Sequence, residues 1–262
     1  QLVRTGRLSY GDTLLYLDRQ SDNKRVNVVS RPAGTNRYAA IPGGLSIDSL
    51  TGRINLNRSE GGIRYKIFAF DASGRALDSV KVVVSGIDYK DGIYDISQTP
   101  LTNDTAFPVY NARTGQLQPC SVDDDDDDRC EYDETDVDDD GDDDVPGVNQ
   151  DKLLVDKKIG TIDLEASLEA GLFGSASPAN GSLRNLQMFY RLNDPSGRAL
   201  QKINLRIYYY RNRASIPAIL LNELNQRTTQ VENANARFLQ SAEFQAYSKP
   251  KRPPLLIIVG GL

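Results

Sequence analysis

Histidine and tryptophan are both absent from this chain, methionine occurs once, at Met188, and cysteine only as Cys120 and Cys130. Each absence removes chemistry. Without histidine there is no Ser-His or Cys-His nucleophile pair, no imidazole proton shuttle near neutral pH and no ordinary zinc site. A run of 18 or more apolar residues is missing too. The most apolar stretch, Leu255–Val259, has only the length of a strand, so no transmembrane segment is expected and the chain reads as soluble. It opens on Gln1 rather than Met, which leads to the expectation of a processed chain whose export signal has been removed.

What remains is carboxylate chemistry, and it is unevenly placed. The net charge of −5 divides sharply: residues 122–144 hold sixteen Asp or Glu and one Arg, net −15, which leaves twenty acids and thirty bases elsewhere, net +10. A basic body with one intensely acidic segment implies either neutralisation by cations or head-to-tail attraction between copies. The bases are scattered rather than clustered, so neither nucleic acid nor an anionic membrane is needed to explain them. Cys120 and Cys130 flank an acidic run. In an oxidising compartment they would close a small loop as a disulfide, and otherwise they are free thiols.

Strand signals dominate the first ninety residues. Thr13–Leu17, Val26–Val29, Ile54–Leu56, Tyr65–Phe70 and Val80–Val84 are short β-branched or aromatic runs, separated by turn residues such as Pro42-Gly43-Gly44 and Ala72-Ser73-Gly74. Alternation in Tyr65–Phe70 is incomplete, which points to burial on both faces there. Residues 97–121 carry Pro100, Pro108 and Pro119 and read as a connection with little regular structure. Beyond Asp151, Leu186–Leu192 and Ile203–Tyr210 read as a hairpin around Asn193–Gly197. Ser215 reads as the cap of a helix running to about Gln230, with Pro217 in its first turn and helix continuing through Ala234–Phe244. Leu255–Val259 reads as a strand that either closes its own sheet or completes that of a neighbouring copy.

Gly44-Leu45-Ser46-Ile47-Asp48-Ser49-Leu50-Thr51-Gly52-Arg53-Ile54, followed by Tyr65–Asp71 and Val80–Val84, resembles the cadherin-like immunoglobulin-type repeats of bacterial surface proteins over residues 40–86. The resemblance implies a β-sandwich and an extracellular, cell-surface setting. The expected architecture is mainly β: an Ig-like β-sandwich over 1–96, a linker and acidic calcium-binding segment over 97–150, and a second β-rich (α+β) domain over 151–262 with a helix and a C-terminal strand.

The strongest motif is Asp136-Val137-Asp138-Asp139-Asp140-Gly141-Asp142-Asp143-Asp144, which has the D-x-D-x-D-G-x-x-D opening of a calcium loop. Asp136, Asp138 and Asp140 can converge on one ion, Gly141 permits the sharp turn, the Asp142 carbonyl faces inward, and Asp144 ligates directly or through water. Hard oxygen donors in a flexible loop favour Ca2+ over Mg2+. The segment resembles the calcium loops of thrombospondin type 3 repeats and dockerins. It departs from an EF-hand at the twelfth position, Gly147, so a last ligand must come from elsewhere, such as Asp133, Glu134 or Asp151. A second group within Asp123–Asp128, including Asp124 and Asp126, either holds another ion or is a solvated acidic run.

Together these features lead to the expectation of a secreted bacterial structural protein rather than an enzyme: a homo-oligomeric or polymeric subunit of a calcium-stabilised surface assembly. The alternative is a calcium-dependent adhesin or carbohydrate-binding module with a glycan or surface ligand. Paired carboxylates can hydrolyse glycosides, but crowding them into one polar loop works against the pKa separation such catalysis needs.

Overall fold

The structure, a computed structural model, describes residues 4–97, 104–116, 130–175, 177–229 and 253–260. Strand accounts for 37% and helix for 10%, so the fold is mainly β, as the β-branched and aromatic runs predict. In chain order the elements are β1 (Arg4–Thr5), β2 (Leu14–Leu15), β3 (Arg25–Val26), β4 (Ser30–Arg31), β5 (Arg37–Ile41), β6 (Ile54–Asn55), β7 (Arg64–Phe70), β8 (Ala76–Val84), β9 (Ile87–Tyr89), β10 (Gly92–Asp95), β11 (Thr105–Ala106), β12 (Pro108–Tyr110), β13 (Glu131–Glu134), β14 (Leu154–Val155), β15 (Ile162–Asp163), α1 (Leu164–Glu169), β16 (Ser182–Arg191), β17 (Gln201–Tyr210), α2 (Ala218–Thr229) and β18 (Leu255–Val259).

One core gathers residues from Leu8 to Val84 around the sheet β2-β8-β7-β5. Strand β7 is buried on both faces. Tyr65, Ile67 and Ala69 enter this core, while Phe68 and Phe70 join Ile41 on the opposite side. There Lys66 and Arg37 lie over the Phe68 and Phe70 rings, so cationic stems cover apolar surface. The Gly44–Ile54 segment forms a tight reversal. Ile47 bridges Ile54, Asp48 Oδ1 accepts from the Leu50 and Thr51 amides, and Gly52 takes φ +73° where a Cβ would strike Val28 and Tyr38.

A second core runs from Ile87 to Ile258 under the five-stranded sheet β10-β18-β17-β16-β13. Against the expected first unit of 1–96, Ile87, Tyr89, Tyr94 and Ile96 all sit in this second core, because β9 and β10 pair with β12 and β18 rather than with the N-terminal sheet. The expected irregular connection over 97–121 is partly strand: β11 pairs with β15 and β12 with β9. Pro108 is tolerated because it opens its short strand, where a missing donor costs least.

The β16–β17 hairpin forms as its alternation predicts. Leu186, Met188 and Tyr190 face Ile203, Leu205, Ile207 and Tyr209 in the core, with Asn185 and Gln187 on the solvent side. At the end of β17 the second face is also covered: Tyr208 and Tyr210 stack with 6.3 Å between ring centroids and pack with Leu220, Leu221 and Leu224 of α2. Ser215 is not the cap of this helix. Its amide and hydroxyl both donate to Asn212 Oδ1 inside a 3-10 turn, and α2 starts after Pro217, whose carbonyl accepts from Leu220 and Leu221. The expected helix over Ala234–Phe244 lies outside the described residues. Among the described residues no helix is long and apolar enough to cross a membrane.

β18 lies inside its sheet, next to the edge strand β10, and is parallel to β10 on one side and to β17 on the other. Leu256 and Ile258 enter the main core, and Leu255, Ile257 and Val259 pack toward α2. Of the two readings of this strand, the structure presents the one in which it pairs within its own chain.

Candidate metal centre

The acidic loop leaves the edge strand β13, and the departure is built into that strand. β13 pairs with β16 through Glu131 opposite Arg191 and Tyr132 opposite Tyr190, and the register then slips at Asp133, which has φ +56°. The bulge turns the Asp133 side chain into the protein. Its carboxylate accepts from the Val148 amide and from the amide and side chain of Asn149, and Asn149 in turn holds both the amide and the carbonyl of Val155. Asp133 is 2% exposed and fixes the turn into β14. The structure thus places it in a structural network rather than beside the other aspartates.

Thr135 closes the base of the loop: its carbonyl accepts from Asp144 at 2.9 Å and Val145 at 3.2 Å, and its hydroxyl donates to Asp143. Inside, Asp136 accepts from the Asp139 and Asp140 amides through Oδ1 and from Gly141 through Oδ2, while Asp144 Oδ2 accepts from Val137 and Asp138. Gly141 has φ +97°, the left-handed turn that the motif requires at this position.

This winding brings Asp136, Asp138 and Asp144 together, with one carboxylate oxygen from each lying within 4.8 Å of the others. Two oxygens on opposite sides of one calcium ion, at ~2.3–2.6 Å each, stand about 5 Å apart, so the spacing suits a shared ion. Asp136 is half-buried, and Asp138 and Asp144 are exposed. The Asp138 carboxyl is pushed above its ordinary range, first by loss of surrounding solvent and then by the charges of Asp140, Asp144 and Asp136. Asp140 and Asp142 lie in the same loop but outside this trio; Asp140 instead receives the Asp142 amide. Asp151, offered by the sequence as a closing ligand, pairs with Arg184 at 2.8 Å. Asp124, Asp126 and Cys120 lie outside the described residues. Cys130 is buried and is not a free thiol.

Two arginines brace the loop, and neither is marked by the sequence motif. Arg191 of β16 donates from Nη2 to the Asp136 carbonyl at 3.0 Å, from Nε to Glu134 at 3.1 Å and from Nη1 to the Arg198 carbonyl at 3.3 Å. Glu134 also receives the amides of Thr135 and Asp136. Arg19, which precedes β3 in the N-terminal half, pairs with Asp139 and donates its own amide to Ser196 in the β16–β17 turn. The loop therefore contacts side chains from both halves of the chain.

No protein-family model and no curated protein matches this chain. The family resemblances accordingly stay expectations drawn from residues 40–86 and 136–144.

Proposed function

We propose that this chain is an extracellular, non-enzymatic structural subunit of a self-assembling bacterial surface structure, and that Asp136, Asp138 and Asp144 bind a calcium ion that stiffens it. The convergence of those three carboxylates carries the reading. So many aspartates in one short loop repel each other until a cation neutralises them, and calcium at extracellular concentrations would fill even a modest site. Because the loop also meets Arg19 and Arg191, stiffening it would firm the contact between the two halves. A Cys120–Cys130 disulfide closing the neighbouring acidic run belongs to the same proposal. The test is negative-stain microscopy of purified protein in calcium and after EGTA. Ordered polymers that disperse on chelation support the reading, and polymers indifferent to EGTA oppose it.

One observation favours a second reading, a binding module. A cleft of about 260 Å³ lies where the two halves meet, lined by Leu17, Asn57, Ser59, Phe189, Gln201 and Lys202 among others. An aromatic ring, amides, a hydroxyl and a cation suit a small polar ligand such as a sugar. A glycan panel probed in excess calcium would support this reading by a saturable hit, and uniform silence would remove it.

A further inference from the structure

The last strand of the chain holds a place usually given to an element fixed early by its neighbours. β18 sits between β10 and β17, parallel to both, so no hairpin ties it to either. All five of its residues are at most 2% exposed. Without it, two strand edges lose their ladders, the main core loses Leu256 and Ile258, and α2 loses the surface on which Leu220 and Leu224 rest. What is left is a slot with five backbone positions and apolar pockets on both sides, matched to Leu255–Val259.

A polar latch seats the strand at its entry. Asp91 Oδ1 accepts from the Leu255 amide at 2.7 Å and faces Arg227 Nη1 at 3.2 Å, and Arg227 Nη1 also reaches the Pro253 carbonyl at 2.6 Å. Glu223 holds the other side of the same guanidinium at 2.6 Å. Two of these bonds reach the strand and the residue that leads into it, at Leu255 from Asp91 beside β10 and at Pro253 from Arg227 of α2.

The covalent link is much longer than the seat requires. Arg227 touches Pro253, yet residues 230–252 lie between α2 and the strand and would span about 75–80 Å if extended, at ~3.4 Å per residue. A flexible connection of this length would supply an effective concentration in the millimolar range, and each doubling of a loop costs about 0.6 kcal/mol more to close. A strand from another copy makes the same ladder and the same latch, so it takes the slot where copies are held together at a comparable local concentration, as in an assembly.

We propose that β18 is exchanged between copies: the C-terminal strand of one chain fills the β10–β17 slot of the next, latched by Asp91 and Arg227 of the receiving copy. Such a contact is head-to-tail, so it propagates into filaments unless the rotation closes a ring. The proposal rests on the reading of the chain as a self-assembling subunit and supplies its joint.

The test uses two full-length variants, Tyr208→Cys and Ile257→Cys, whose positions lie opposite each other across β17 and β18. They are mixed during refolding, concentrated with calcium or with EGTA, oxidised, and run on a non-reducing gel beside the wild-type chain, which reports any link made by Cys120 or Cys130. Exchange predicts a band at twice the chain mass that needs both variants and grows with protein concentration. A cross-link confined to monomers of the double variant Tyr208→Cys/Ile257→Cys, with no dimer in the mixture, would overturn exchange while showing that the slot folds. Should the tyrosine site not tolerate cysteine, the facing pair Arg206→Cys and Leu255→Cys repeats the test. Cross-linked polymers that persist in EGTA keep the joint and remove the calcium reading. Calcium-dependent polymers without the cross-link do the reverse.

Discussion

Arg191 Nη2 lies 3.0 Å from the main-chain carbonyl of Asp136, which ties a candidate metal ligand to β16, an interior strand of the five-stranded sheet. The arginine side chain is 5% exposed and its partner Glu134 13%. The pair is buried enough that removing one member leaves the other poorly solvated.

Arg191→Met should therefore destabilise the fold by about 3 kcal/mol, the low end of the ~3–5 kcal/mol for breaking a buried pair, because Glu134 keeps two amide donors. Urea unfolding measures this directly. The same variant should weaken calcium binding, since the Asp136 backbone loses its anchor. An unchanged unfolding midpoint would mean that the brace contributes nothing.

Alkaline pH should unfold the protein before its tyrosines titrate freely. Burial raises the Tyr110 phenol to about 12, with the Tyr132 hydrogen bond acting the other way, and burial pushes Tyr89, Tyr94 and Tyr132 up as well. The unfolded chain ionises these phenols near 10, so their contribution is fully present below that pH and is lost as pH climbs through the folded values. Phenolate absorbance and circular dichroism should change together between about pH 10 and 12. Complete phenolate formation near pH 10 with the fold intact would contradict this.

Gly160→Ala should cost about 2–4 kcal/mol, from left-handed backbone strain of ~1–2 kcal/mol plus overpacking. Gly160 has φ +71°, and a Cβ there would lie 2.5 Å from the buried Tyr132 ring. Gly34 provides the comparison: it has φ +78° with nothing within 4 Å of a Cβ, so Gly34→Ala should cost only the backbone part. Equal melting temperatures for the two variants would refute the packing argument.

The parts of this fold that follow from sequence are those fixed by local periodicity. β16 and β17 alternate in register over nine paired positions, and Tyr65–Phe70 carries its two-sided burial in its composition. The Gly44–Ile54 reversal is legible through Asp48 and Gly52, because a side-chain turn and a left-handed glycine are local devices. Pairings between distant segments are not legible. Thr105–Ala106 is a strand only because Ile162–Asp163 lies beside it, and nothing in Gly92–Asp95 announces a parallel partner at the far end of the chain. The same division holds for the site. The aspartate spacing announces Asp136, Asp138 and Asp144, whereas Asp133 is diverted by a bulge and Arg19 and Arg191 arrive through tertiary structure.

Calcium titration calorimetry of the full chain beside Asp136→Asn/Asp144→Asn tests the central claim most directly. The account predicts saturable binding to the wild-type chain in the ~10⁻⁴–10⁻³ M range of extracellular modules, weakened at least tenfold in the double variant. Binding of equal strength in both proteins, or no calcium heat in either, would contradict it.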